Sequence, residues 1–327
     1  MIEKPFNELT HWEKLWLKIT DKSRHRHYLE RLKVFRIGKD LRNFAQHNNL
    51  LNPEAIRGIA ANTRVLNLVH SGNAGDIIYA LPTIREIGRL TGLPVHLFLK
   101  LYESTLISSH YKHPLGNVMM NDVIAKMMVP LLDTQPYLQK CSLFNGEPIH
   151  IDLDAFRKAG LLLDRGNIAA WYNYFTGLKP DLSEKWLDVL PNPAYSDYIV
   201  LARSSRYNNP VINYSFLNKY DKLIFVGVDT EYEAIKKQVE NIQWQQVTDF
   251  IELASIIAGC KLFIGNQSFP FAIAEGLKVP RLLETAVESP NVLPEGGDCF
   301  NFCFQEHLEW FTDHLLNGPG SRSDLKS

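Results

Sequence analysis

The chain has 327 residues, of which 45% are hydrophobic, 11% aromatic and 22% charged, with a formal net charge of −1. This balance excludes a disordered or collagen-like chain and a nucleic-acid-coating protein, and the length suits about two domains of roughly 150 residues. No apolar run reaches the ~18 residues of a membrane span and the first ten residues lack a signal-peptide core, so a cytoplasmic protein is expected.

The first 64 residues carry 13 Lys and Arg against 7 Asp and Glu, a basic arm in front of an acidic body. Trp12, Leu15, Trp16 and Ile19 recur at helical spacing, as do Leu29, Leu32 and Phe35, and Pro53 can open another short helix. Residues 1–62 read as a helical extension. Its basic face is either simply solvated or meets an anionic partner: anionic lipid, by peripheral contact with the inner face of a membrane, or a polyanionic glycan carrier.

The apolar run 66–70 is followed by Ser71-Gly72-Asn73-Ala74-Gly75-Asp76, and then Ile77, Ile78, Leu81, Ile84 and Ile87 recur at helical intervals. That is strand, glycine-rich turn, helix, with Pro82 expected to kink the helix. Residues 94–100 read as the next strand and 149–154 as another. Pro191-Asn192-Pro193 is the candidate linker. Beyond it, strands are expected at 198–202, 222–228, 261–265 and 280–283, and helices at 231–239, 251–260 and 271–277. Repeated strand–helix units imply parallel sheets with helices on both faces. The expected organisation is α/β: a basic extension to residue 62, one Rossmann-like domain over 63–192, a second over 193–300, and a helix and tail over 301–327, with a cleft between the domains.

Three segments could carry chemistry. In the turn after the first strand, Gly72 and Gly75 allow a tight bend, Asn73 lies between them, and ligands of open α/β sheets bind beyond the carboxyl ends of the strands. Asp76 there either takes a proton from a hydroxyl acceptor or caps the helix. After the strand 198–202 come Arg203, Ser204, Ser205 and Arg206. The two arginines can neutralise a diphosphate, or the loop is merely solvated. After the strand 261–265 come Asn266, Gln267 and Ser268, with Pro270 in the first turn of a helix. The free N–H groups at that helix start suit phosphates. Glu275 in the same helix is either an exposed surface acid or a contact for a ribose hydroxyl pair.

Other chemistries lack their signatures. The cysteines Cys141, Cys260, Cys299 and Cys303 belong to a chain whose core needs no disulfide staples, and reduced thiols are expected. His25 and His27 lie in the arm and His110 and His113 in a loop-like stretch. No HExxH, GxSxG or GxxxxGK[ST] motif occurs, so no metal site, serine hydrolase or P-loop is expected.

The segment GDIIYALPTIREI, at Gly75, Asp76, Leu81 and Pro82, resembles the first turn and helix of the heptosyltransferase-like, family-nine glycosyltransferases of the GT-B fold. The segment 251–280, at Leu253, Ala254, Ile257, Asn266, Ser268, Ala274, Leu277 and Pro280, is similar to their nucleotide-diphosphate segment. Together the two cover about a fifth of the chain. Asn266-Gln267-Ser268 stands where the family has Asp-Thr-Gly, and Phe271 where it has a histidine. The family's phosphate-binding lysine has no counterpart, with Arg203 or Arg206 in its stead. The resemblance implies inverting, metal-independent transfer from a nucleoside-diphosphate sugar to a hydroxyl acceptor such as a glycan or glycolipid. Asp76 would be the base, Arg203, Ser204, Arg206 and the turn 266–269 would hold the diphosphate, and Glu275 the ribose. No cofactor beyond the donor is implied. A nucleotide-sugar-binding protein without transfer activity, or an epimerase or hydrolase on the same scaffold, are the alternatives.

Overall fold

The computed structural model describes residues 6–47, 50–104 and 117–317, so His110 and His113 lie outside the described residues. Strands β1 (Leu66–His70), β2 (Val95–Leu99), β3 (Lys140–Leu143) and β4 (Ile151–Asp152) form one parallel sheet in the order β3-β2-β1-β4. Strands β5 (Ile199–Ala202), β6 (Leu223–Phe225), β7 (Gln243–Trp244), β8 (Leu262–Asn266), β9 (Arg281–Glu284) and β10 (Cys299–Phe302) form a second. It too is parallel, in the order β10-β9-β8-β5-β6-β7. The second is the full doubly wound order, reversing direction between β8 and β5. Its inner strands β5, β8 and β9 are buried along their whole length, as parallel strands covered on both faces must be.

The period of two divides β5 between two cores. Val200 and Ala202 join the large cluster that continues into the first domain, whereas Ile199 and Leu201 join a second cluster on the other face. Helix α7 (Asp229–Lys236) contributes Ile235 to that second cluster and α10 (Gln305–Asn317) contributes Leu308. Strand β10 crosses the boundary expected at residue 300, and α10 packs on β9 and β10, so the C-terminal helix is built into the second domain.

The large cluster spans both domains because helices of one pack on helices of the other. Helix α4 (Ala74–Thr91) lies against α9 (Phe269–Leu277), and α5 (Asp122–Asp133) against α8 (Phe250–Gly259). α4 begins at Asn73 and is stopped by Gly92, whose φ of 66° suits a residue without Cβ. It runs unbroken through Pro82, which lacks the N–H that would bond to the carbonyl of Ile78. The indole N–H of Trp186 takes that place, donating to Ile78 O at 3.1 Å.

At the N-terminus, α1 (His11–Thr20) and α2 (Lys22–His47) form an antiparallel hairpin, with Thr10 and Glu13 closing a capping box on α1. The arm is not wholly an appendage. α2 packs on the short 3₁₀ turn Ala155–Ala159, Phe44 belongs to the main core, and α3 (Pro53–Ala60) buries Ile56 completely within it. All four cysteines are unpaired.

Candidate active site

A cavity of about 710 Å³ lies between the domains, within the ~300–1,000 Å³ range of small-molecule sites. The first domain lines it with Asn73, Gly75, Asp76 and Tyr79 from the start of α4 and with Met119, Ile124 and Met127 around α5. The second lines it with the segments that leave β5, β6, β7 and β8, among them Arg203, Ser204, Arg206, Glu231, Trp244, Gln267, Ser268 and Phe269. The reversal of strand order between β5 and β8 opens this crevice, because the connections leaving those neighbours run in opposite directions.

On the first-domain side Asp76 is held from behind. Its Oδ2 accepts from Arg157 Nη2 at 2.5 Å and from the backbone N–H of Asn73 at 3.2 Å. Asn73 is the N-cap residue of α4, and Asp76, the third helical residue, also serves the cap, because its carboxylate accepts from Asn73 N in a capping box. Its Oδ1 makes no hydrogen bond among the described residues. Arg157 in turn donates from Nε to Asp154 Oδ1 at 2.9 Å, and Asp154 Oδ2 accepts from Ser71 N at 2.5 Å. Burial opposes the charge on Arg157, but Asp76 and Asp154 outweigh it and hold the guanidinium firmly charged.

Beneath this ion cluster is a neutral relay. His70 is fully buried, which lowers its pKa below the ordinary histidine value. Its Nδ1 accepts from Gly72 N at 2.9 Å, which leaves the proton on Nε2, 2.8 Å from the Tyr172 hydroxyl. That hydroxyl donates to the backbone carbonyl of Asp76 at 2.8 Å. Gly72 does not line the cavity; it lies inside this packing. A Cβ there would come within 2.6 Å of Arg157 Nη2, 2.7 Å of His70 Cε1 and 2.9 Å of Asp76 Oδ2, so the glycine is required by close approach.

On the second-domain side several expected ligand groups are occupied by the protein. Arg203 lines the cavity, but its Nε and Nη2 donate to the two oxygens of Glu284, each at 2.7 Å, with Glu284 fully buried. Asn266 is buried, with Oδ1 accepting from Ser204 N and Nδ2 donating to Ser204 O and Asn208 Oδ1. It ties the loop after β5 to the end of β8 and is not part of the cavity wall. The side chain of Gln267 is likewise spent on Ser289 O, Asn291 Oδ1 and Ala286 N.

Glu275 differs from both sequence expectations. It is neither an exposed helical acid nor part of the cavity wall. It is 1% exposed and accepts from Arg281 Nε and Lys278 Nζ, both at 2.5 Å, beneath α9. The second-domain acids that do line the cavity are Asp229 and Glu231, both early in α7. Burial raises the Glu231 carboxyl pKa above the usual range, against the pull of the Ser205 N–H at 3.3 Å.

Arg206 keeps its charge available. It stacks on Tyr207 at 4.6 Å, makes no ion pair among the described residues, and leaves Nη1 buried without a hydrogen-bond partner. The Tyr79 hydroxyl, on the cavity-lining residue one turn after Asp76, is a second buried polar atom without a partner. Ser268 and Phe269 bring the N-terminus of α9 to the same wall. Trp244, stacked on Tyr232 at 5.6 Å, and the pair Phe250–Phe269 at 4.4 Å add flat apolar surfaces.

No protein-family profile and no curated protein sequence matches the chain. Solved structures do. The E. coli heptosyltransferase WaaC with ADP matches with a TM-score of 0.51 at 9% identity, over 77% of this chain and 99% of that one. A glycosyl transferase family 9 protein from Veillonella parvula matches at 10% identity and a TM-score of 0.49, over 78% of this chain and 90% of its own. The iron-containing dodecameric glycosyltransferase TibC from enterotoxigenic E. coli matches at 16% identity and 0.49, over 72% and 64%. What the chain shares with WaaC is its fold: two Rossmann-like domains across a cleft, the GT-B arrangement of the heptosyltransferase-like glycosyltransferases.

Proposed function

We propose that the cleft transfers a sugar from a nucleoside-diphosphate donor to a hydroxyl acceptor with inversion. The observation that carries this reading is the pairing of unlike groups in one cavity. A carboxylate from the first domain, Asp76, shares it with an unpaired guanidinium, Arg206, and a helix N-terminus from the second. The acceptor oxygen attacks the anomeric carbon on the face opposite the diphosphate and gives its proton to Asp76. The bond from that carbon to the diphosphate oxygen breaks, and the charge left on the phosphate is met by Arg206 and the free N–H groups of α9. In this reading those groups supply the charge compensation without a metal ion. Arg203 positions the loop rather than binding the diphosphate, and Glu231 replaces Glu275 as the acid for the ribose hydroxyls. Trp244 and Phe250 offer flat surfaces for the base.

The Arg157–Asp76 ion pair favours a second reading, a nucleotide-sugar-binding protein without transfer, because it already engages one carboxylate oxygen. Asp76→Asn separates the two. A general base contributes ~10²–10⁴-fold to rate. Transfer is expected to fall by that factor while a nucleoside diphosphate still raises the melting temperature, by the equivalent of ~2.7 kcal/mol at a hundredfold excess over Kd. Unchanged transfer in the variant rejects Asp76 as base. Stabilisation of the native protein by a diphosphate, without transfer from any donor that stabilises it, establishes the binding protein.

A further inference from the structure

Helix α1 leaves an apolar face uncovered. Trp12, Leu15, Trp16 and Ile19 stand at spacings of three and four, so they share one side of the helix. They are 76%, 41%, 66% and 73% exposed, while Leu17 alone of α1 is buried. Two tryptophans and two aliphatic side chains on about two turns of helix form a contiguous apolar patch that water solvates poorly. No described residue covers it.

The hairpin that carries that face is cationic. Residues 11–47 hold ten Lys and Arg against four Asp and Glu. All eight Lys and Arg of α2 are exposed, and among the described residues one of them, Arg36, forms an ion pair, with Glu8 at 3.5 Å. A hairpin with tryptophan and aliphatic side chains on one helix and a surplus of exposed cations on the next has the chemistry of an interfacial anchor. The indoles seat at the headgroup level, where a ring is apolar and its N–H is wet, and the cations meet lipid phosphates. The described helices include none long and apolar enough to cross a membrane, so the arm would lie on a bilayer rather than in it.

We infer that α1 and α2 dock the protein on an anionic lipid bilayer through the face Trp12, Leu15, Trp16 and Ile19. Charge complementarity selects lipid over a second copy of the chain, because two such arms brought face to face would oppose like charges. The inference does not rest on the transfer reaction. Its consequence reaches the cavity, however, because α2 packs on the 3₁₀ turn that carries Arg157, the partner of Asp76.

The test uses the full chain and vesicles of phosphatidylcholine alone or with a third phosphatidylglycerol. Cosedimentation is expected with the anionic vesicles and not the neutral ones, and it weakens as salt rises from ~0.1 to ~0.5 M, where the Debye length shortens from ~10 Å to a few ångströms. Trp12→Ala/Trp16→Ala removes exposed side chains, so its melting temperature should match the native protein. Its partitioning should fall by about tenfold or more from the lost apolar burial. Replacing Arg24 and Arg26 by Glu should weaken binding to anionic vesicles and flatten the salt dependence. Absence of vesicle binding, or binding that the tryptophan variant leaves unchanged, overturns the inference. So does a native dimer without vesicle affinity that the tryptophan variant converts to a monomer, which would assign the face to a second copy.

Discussion

Replacing Glu284 by Gln removes one charge and turns one oxygen into an NH₂ group while leaving the size of the side chain unchanged. In the native protein each carboxylate oxygen accepts two hydrogen bonds. Oε1 accepts from Arg203 Nη2 and Asn209 N, and Oε2 from Arg203 Nε and the Tyr214 hydroxyl, at 2.5–2.7 Å. Turned one way, its NH₂ group faces two N–H donors; turned the other, it faces the Arg203 Nε–H and the Tyr214 hydroxyl, and in both cases Arg203 loses its counter-charge. Stranding a buried charge costs about 3–5 kcal/mol. At ~2–4 °C per kcal/mol for a chain of this scale, the melting temperature should fall by ~6–20 °C. Arg203→Met should cost a comparable amount, because it leaves the buried Glu284 without its cationic partner. The double variant should be more stable than the sum of the two losses predicts by ~1–3 kcal/mol. The assay is thermal denaturation followed by circular dichroism, with a nucleoside diphosphate titrated into each folded variant. A melting temperature for Glu284→Gln within ~1 °C of native would refute the buried-pair argument. An Arg203→Met variant that keeps native stability but loses diphosphate affinity would return Arg203 to the role of a phosphate ligand.

Two other outcomes follow from the relay under Asp76 and from the helix it supports. Burial keeps His70 neutral in the folded protein, whereas the unfolded chain takes up its proton below about pH 6.5. The unfolded state then binds the extra proton, so stability should fall by up to ~1.4 kcal/mol per unit as pH drops below ~6.5, and be insensitive to His70 above it. His70→Gln should flatten that slope between pH 7 and 5 in urea midpoints; an equal slope in both proteins would reject the neutral assignment. Trp186→Phe leaves the Ile78 carbonyl without its donor and should cost ~1–3 kcal/mol. In a Pro82→Ala background, where the helix supplies its own N–H, the same change should cost distinctly less; equal costs in the two backgrounds would show that the indole N–H is not what satisfies that carbonyl.

The inner strands were legible in the sequence because they are buried on both faces. β1, β2, β5, β8 and β9 are short apolar runs. The strands that escaped notice, β3, β7 and β10, are sheet edges with exposed or half-exposed positions, and such positions tolerate Lys140, Gln243 and Asn301. The glycine turn at Gly72 to Asp76 was legible from local chemistry alone. Arg157 was not, since it reaches Asp76 from 81 residues away, and the sole local hint was its spacing of three from Asp154 at the end of the segment 149–154. Glu275 illustrates the converse. Its helix is apolar on nearly every side, which a single acid cannot reveal as burial, and its partner Arg281 begins a strand that reads as a plain apolar run. Sequence spacing reports what lies on one element; it says little about which charge a neighbouring element brings to meet it.

Trp186 joins both halves of the molecule at one point. Its indole reaches α4, and its backbone N–H, with that of Leu187, donates to Gly276 O in α9. A side chain at Gly276 would meet Trp186 Nε1 and Leu187 Cβ at 3.0 Å, and Gly75 of α4 faces Phe269 of α9 across ordinary van der Waals distance. The two helices that flank the cavity are thus fastened near one corner by three directional bonds and a tight glycine contact. Sliding the helices past each other would break all of them. Widening the mouth to admit a donor would have to part α5 from α8, while the tryptophan strap keeps α4 on α9.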